Sequence, residues 1–255
     1  MSVSHLLLEL GSGGIVGFTL GLIGGGGSIL AVPLMVYVIG VRNPHVAIGT
    51  SAFAVALNAL AGLASHAREA TVKWRCAGVF APCGVLGAMV GASLGKAVDG
   101  GRLLLCFAVL MLVVGVLMLR GRHDTGVAGA ACHRGNVAKV GAYGGVTGVL
   151  SGFFGIGGGF LIVPALMAAT RMPILNAVGT SLVAVAAFGL STALSYAVSG
   201  YVDWVLAGWF ILGGVVGSLA GTRVARVMGA AGSSLKTAFA GVIFLVAFYM
   251  IWRSV

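Results

Sequence analysis

GLIGGGGSILAVP at Gly21–Pro33 and GFFGIGGGFLIVP at Gly152–Pro164 are one pattern written twice in a chain of 255 residues. A Gly-Thr-Ser triplet follows each copy, at Gly49–Ser51 and again at Gly179–Ser181. Glycine runs break helices, and a helix broken within hydrocarbon leaves N–H and C=O groups that must find partners inside protein or beside a cavity. Matched breaks, one per half of a membrane chain, commonly build the binding site of a carrier.

The duplication reaches well beyond the motif. An offset of 131 aligns Gly17 with Gly148, Gly21 with Gly152 and Pro33 with Pro164. After a one-residue deletion an offset of 130 aligns Thr50-Ser51 with Thr180-Ser181, Ser65 with Ser195, Trp74 with Trp204, Gly87 with Gly217 and Gly91 with Gly221. A constant offset over that distance indicates two related halves. Apolar stretches fall near 6–39, 46–65, 76–98 and 103–119, then 140–169, 175–198, 205–227 and 235–251. Most have the roughly 20 residues that a hydrocarbon core requires of a helix. The expected fold is an all-α polytopic membrane protein of two four-segment repeats, residues 1–120 and 140–255, joined by a polar linker at 121–139.

Composition excludes most other classes. Hydrophobic residues make up 59% and charged ones 8%, and the mean hydropathy of +1.11 leaves no polar exterior for a soluble domain. The 44 glycines follow no G-X-Y period and sit among large apolar residues, which fits helix packing in lipid. A net charge of +10 arises from short basic clusters between apolar stretches without a nucleic-acid reader motif; anchorage at an anionic leaflet explains it better. Cys76, Cys83, Cys106 and Cys132 show no close pair with metal spacing and read as inert small side chains. The first residues lack the basic start of a cleaved signal and read as mature protein.

Charge also bears on topology. With eight plain crossings, Lys and Arg divide eight to seven between the sides and give no orientation. With segments one and five as hairpins that enter and leave on one face, the 65–75, 120–139, 170–173 and 223–236 regions share a side with eleven Lys/Arg. The other side keeps four: Arg42, Lys96, Arg102 and Arg253. That asymmetry is the cytoplasmic excess expected of a membrane protein. It also makes each half cross an odd number of times, so the halves are inverted.

The candidate substrate site is the pair of clusters, Gly24, Gly25, Gly26, Gly27 and Ser28 with Gly155, Gly157, Gly158 and Gly159. Their bare backbone can approach a small anion at the positive end of a half-helix. Thr50, Ser51, Thr180 and Ser181 add hydroxyls, and Asn58 adds an amide inside the second span, opposite Phe188 in the alignment. Pro33 and Pro164 follow as helix bends. His66 and its counterpart Tyr196 are candidates for a gate or proton route, with His66 expected nearer the interface than the centre. Gly87, Gly91 and Gly95 read as a tight helix crossing, Trp74 and Trp204 as interface anchors, and Asp203 as a helix cap. Glu9, Glu69, Asp99, Asp124 and Asp203 leave no central carboxylate for an ion relay. No catalytic residue, metal site or cofactor is expected: HExxH and paired intramembrane carboxylates are lacking.

Gly152-Phe-Phe-Gly155-Ile-Gly157-Gly158-Gly159, Pro164, Gly179-Thr180-Ser181 and Asp203-Trp204 resemble the hallmark of the sulfite exporter TauE/SafE family. The first half varies it, with Lys73-Trp74 in place of the acidic pair. The resemblance covers nearly the whole chain except the linker. It implies a multi-pass protein of the bacterial inner membrane that carries sulfite, an organosulfonate or a related sulfur-containing anion. The partners expected are that small anion and membrane lipids, with no nucleic acid and with a homodimer left open. A channel-like anion permease and a non-transporting scaffold subunit are the alternatives to an alternating-access carrier.

Overall fold

The computed structural model describes residues 3–68, 70–120, 126–127, 129–130, 132–133, 135–154, 159–228, 241 and 243–248. The regular elements among them are helical. Six helices are long and apolar enough to cross a membrane, and two shorter apolar stretches, Gly27–Ile39 and Gly159–Thr170, accompany them.

Helix α1 spans Val3–Ile23 and ends where Gly24 adopts φ +68°. A tight 3-10 stretch follows over Gly24–Leu30, then α2 at Ala31–Pro33 and a π-helical stretch at Leu34–Ile39. The chain doubles back here: Gly27 lies directly against the Thr19–Leu20 backbone, and Thr19 Oγ1 reaches the Gly27 carbonyl at 3.4 Å. A continued helix would carry residue 27 about 10 Å beyond residue 20. The apolar block at 6–39 is therefore a hairpin folded at its glycines rather than one bent rod. The widened π-type turns begin directly after Pro33, whose ring and missing N–H disturb the regular ladder.

Gly40, at φ +85°, closes this arm, and Asn43 Oδ1 accepts the His45 N–H at 2.9 Å where α3 begins (Pro44–Arg68). Helix α4 spans Trp74–Lys96 and α5 spans Gly100–Arg120, the latter capped by Asp99 Oδ1 on the Gly101 and Arg102 N–H groups. The second half gives α6 (Val137–Phe154), α7 (Gly159–Thr170), α8 (Ile174–Val198) and α9 (Trp204–Met228). Asp203 Oδ1 accepts from Val205 and Leu206, the cap expected of it.

Small residues decide which helices meet. Gly13, Gly17 and Gly21 of α1 face Phe210, Gly214 and Ser218 of α9, so the two helices run side by side in one direction. Gly144, Gly148 and Gly152 of α6 face Phe80, Gly84 and Ala88 of α4 in the same way. The expected crossing of Gly87, Gly91 and Gly95 is made on α6, at Gly145, Val149 and Phe153. Helices α3 and α8 are the most enclosed, and they run oppositely: Gly49 meets Tyr196, Ala56 meets Gly189 and Gly62 meets Leu182. The outer faces stay apolar, with Leu86, Val90 and Leu94 exposed on the side of α4 away from its glycines, as a lipid-facing surface requires. Trp74 and Trp204 are more than half exposed at the starts of α4 and α9.

The cysteine expectation fails at one pair. Cys76 and Cys132 form a disulfide with Cα atoms 5.2 Å apart, while Cys83 and Cys106 are free. The fold brings the linker onto the first turn of α4, which a separation of 56 residues cannot announce.

Candidate functional site

The tip of the first hairpin reaches the start of α7. Gly25 and Gly159 meet backbone to backbone, so closely that a Cβ on Gly25 would stand 2.6 Å from Gly159 Cα and 2.7 Å from Val185 Cγ2. Val185 lies at the middle of α8, so this contact sits deep in the helical assembly. Gly24 packs on Val178 of α8. The Gly25 N–H donates to Ser181 Oγ at 3.1 Å, and Ser181 Oγ donates in turn to the Val178 carbonyl at 2.7 Å. Ser28 is buried and its hydroxyl donates to the Gly25 carbonyl at 2.9 Å, holding the tight turn. Gly26 and Gly27 belong to the same 3-10 stretch. Gly155, Gly157 and Gly158 lie outside the described residues.

The hydroxyls beside the clusters are engaged within the protein. Thr50 Oγ1 accepts the Asp203 N–H and Thr180 Oγ1 accepts the Lys73 N–H, each at 2.9 Å. These are the same bond in the two halves, each pinning the start of one helix to the loop before another. Gly49 lies against Tyr201, and Gly179 lies against Thr71 Oγ1 and its backbone, another matched pair. Ser51 donates to the Ile48 carbonyl at 3.0 Å. The Gly-Thr-Ser triplets thus serve as clasps between halves: glycine admits the opposing loop and threonine receives its N–H.

Asn58 is different. It is fully buried, it fills the notch over Gly214 of α9, and neither Nδ2 nor Oδ1 has a hydrogen-bond partner in the protein. Its counterpart Phe188 fills the equivalent notch over Gly84 with a ring that also stacks on Phe80. A buried amide without partners carries a desolvation cost of about 1–3 kcal/mol that the phenyl ring avoids. Pro164 sits inside α7 and Pro33 closes α2.

His66 and Tyr196 do not meet. His66 sits in the last turn of α3, 3.2 Å from Thr71 Oγ1, near the end of the molecule where Asn176 Nδ2 bonds the Thr71 carbonyl at 2.9 Å. Tyr196 lies at the opposite end, among His45, Tyr201 and Lys96, with its buried hydroxyl unpartnered. The two occupy matching places in antiparallel helices. Among the described residues no group of three His, Cys, Asp or Glu is placed to hold a metal ion.

Comparison with known proteins bears on the identity of this arrangement. Residues 10–250 match the family model described as Sulfite exporter TauE/SafE. A probable membrane transporter protein of Xylella fastidiosa (strain Temecula1) is 53% identical over all of this chain and 98% of its own length. Another, YunE of Bacillus subtilis, is 28% identical over 84% of this chain and 87% of its own. A third, from Haemophilus influenzae, is 26% identical over 97% of this chain and 98% of its own. No solved structure matches the chain.

Proposed function

We propose, for a chain that belongs to the sulfite exporter TauE/SafE family, that it carries a small sulfur-containing anion across the bacterial inner membrane by alternating access. The protein is a membrane transporter and not an enzyme, as its family and relatives are named. The carrier reading rests on one observation: the bare backbones of Gly25 and Gly159 meet at the level of mid-α8. Two broken elements in direct contact close the centre of the molecule, whereas a channel needs a continuous path. Movement of one tip from the other would open the centre to one side at a time.

The halves are read as inverted repeats related by a two-fold axis in the membrane plane. Matched contacts support this: Thr50 with Asp203 and Thr180 with Lys73, Gly17 with Gly214 and Gly148 with Gly84. The opposed directions of α3 and α8 fit inverted halves, since parallel halves would set these equivalent helices in one direction. The face bearing Arg68, Lys73, Arg75, Arg120, Lys139 and Arg171 is then cytoplasmic.

Gly24 to Gly27, Gly159 and the Asn58 amide are the groups assigned to the anion, with Ser28 and Ser181 shaping the turn and Thr50, Thr180 and Ser51 holding the elements in place. With no Lys or Arg at a span centre, binding by N–H donors alone stays moderate and permits release. The test is flux in proteoliposomes against sulfite, a sulfonate, thiosulfate and sulfate under imposed pH and sodium gradients. Saturable uptake with counterflow supports the carrier. Flux linear in concentration without counterflow refutes it.

A further inference from the structure

At the end of the molecule opposite the basic face, three rings stand in a triangle. The His45 and Tyr196 centroids are 6.3 Å apart, those of His45 and Tyr201 5.6 Å, and those of the two tyrosines 6.3 Å. Lys96, the last residue of α4, holds Nζ 5.8 Å from the centre of the Tyr196 ring. The first turn of α3 and the last turns of α4 and α8 deliver these groups, with Tyr201 on the turn that follows α8. Gly49 makes room for them: a Cβ there would collide with the Tyr201 carbonyl and stand 2.9 Å from Tyr196 Cβ.

The cluster holds more donors than the protein uses. Tyr196 is fully buried, and its hydroxyl has no hydrogen-bond partner among the described residues. The same is true of the buried Nδ1 of the half-buried His45. Lys96 Nζ donates to the Ser195 carbonyl at 3.1 Å and to Ser199 Oγ at 3.0 Å, which leaves the third N–H of the ammonium group. Asp99, the carboxylate nearest to Lys96 in sequence, is turned to the Gly101 and Arg102 N–H groups. In the proposed repeat, Tyr196 and Tyr201 stand where His66 and Thr71 stand at the basic end. That pair meets within itself, with His66 Nδ1 3.2 Å from Thr71 Oγ1. Phenylalanine would fill the place of Tyr196 without stranding a hydroxyl, so packing alone does not account for the tyrosine. With Nδ1 of His45 protonated, the three side chains form a donor set that lacks an acceptor. A small oxyanion is the ligand that supplies one to each.

We propose that Tyr196, His45 and Lys96 form a second binding station for an oxyanion at this mouth of the molecule, an inference that rests on the anion-carrier reading above. The anion accepts from the Tyr196 hydroxyl, from His45 Nδ1 and from the remaining N–H of Lys96. The bonds of Lys96 to the end of α8 hold its ammonium group in position meanwhile. The centre offers uncharged N–H donors only. This station adds one positive charge where an anion passes between the closed centre and the solvent.

The test reads the reactivity of Lys96 in the full-length chain in detergent, by amine acetylation and peptide mass spectrometry. Lys73 and Lys139 of the basic face are internal references that correct for any loss of reagent. Sulfite and sulfate are the probes, each against chloride at equal ionic strength. Both oxyanions are expected to slow acetylation of Lys96 relative to the references, and chloride is not. Tyr196→Phe keeps the ring beside Lys96 and removes only the hydroxyl. It is expected to raise the protecting concentration about tenfold, the effect of one hydrogen bond to a charged ligand, with an unchanged or higher melting temperature. An unprotected Lys96, equal protection of Lys139, equal protection by chloride, or the same protecting concentration in Tyr196→Phe would overturn the proposal. So would a lower melting temperature in Tyr196→Phe, which would show the hydroxyl bonded within the protein. Protection of Lys96 in a chain that moves no anion leaves this station standing and removes the carrier reading. Saturable sulfite transport with counterflow beside an unprotected Lys96 does the reverse.

Discussion

Replacement of Gly25 by alanine is the sharpest perturbation of the closed centre. The new Cβ would stand 2.6 Å from both Gly159 Cα and the Gly159 carbonyl oxygen, and 2.7 Å from Val185 Cγ2. Carbon atoms rest at about 3.5–4.0 Å, so the tip must retreat by about 1 Å. Two of the three obstacles are backbone and cannot rotate away. Overpacking of this kind costs about 1–3 kcal/mol. The same retreat carries the Gly25 N–H beyond reach of Ser181 Oγ, now 3.1 Å away, at about 0.5–1.5 kcal/mol more. Together these destabilise the closed arrangement by about 1.5–4.5 kcal/mol, or roughly 10-fold to 2000-fold in population. Flux of whichever anion the wild-type chain carries, per reconstituted protein, is expected to fall at least about tenfold. Ser181→Ala removes the acceptor for the Gly25 N–H, along with the bond to the Val178 carbonyl, without adding bulk, and is expected to reduce flux about fivefold. Gly208→Ala, with no atom within 4 Å of its Cβ, is the control for alanine in a span. Wild-type flux and a wild-type melting temperature in Gly25→Ala would refute the tip contact as part of the transport cycle.

Further outcomes follow from the clasps, the amide and the topology. Thr50→Val and Thr180→Val each strand a backbone N–H and are expected to destabilise by about 1–3 kcal/mol, read as lower melting temperatures in detergent; an unchanged melting temperature with weakened anion binding would return these hydroxyls to the substrate. Asn58→Leu removes two unpartnered buried polar atoms and is expected to preserve or raise the melting temperature while lowering flux, and undiminished flux would take Asn58 out of the site. With the native cysteines replaced, Ala70→Cys and Ser199→Cys mark corresponding ends of α3 and α8. An impermeant thiol reagent is expected to label Ser199→Cys from the periplasm and Ala70→Cys from the cytoplasm; labelling of both from one side would exclude inverted halves.

Much of this was legible in the residues because glycine spacing records close approach. Gly87, Gly91 and Gly95 announced a helix crossing, and the crossing is there. The partner was not legible. A small-residue stripe has no address, and α4 meets α6 from the other half rather than a neighbour in sequence. Thr50 and Thr180 were visible as a matched pair, but a hydroxyl that receives a loop N–H and one that contacts a solute look the same in sequence. The Cys76–Cys132 pair lay hidden for a related reason. Each cysteine sits in ordinary surroundings, and only the fold of the linker onto α4 joins them.

The departures from symmetry say most about function. On the proposed reading of two related halves, a structural requirement that both share is met by equivalent residues, as Gly17 with Gly214 and Gly148 with Gly84 illustrate. Where the halves differ, packing alone no longer explains the residue. Phe188 and Asn58 fill the same notch, and phenylalanine does so without polar atoms to desolvate. An amide there gains nothing as filler and costs about 1–3 kcal/mol while unpartnered. That cost disappears if a solute accepts from Nδ2 during the cycle. On the proposed carrier reading, an anion would meet no fixed cation at the centre, so its binding would depend on a few N–H donors and would be given up as soon as the tips move apart. A carrier needs that balance, and the first half alone supplies the amide.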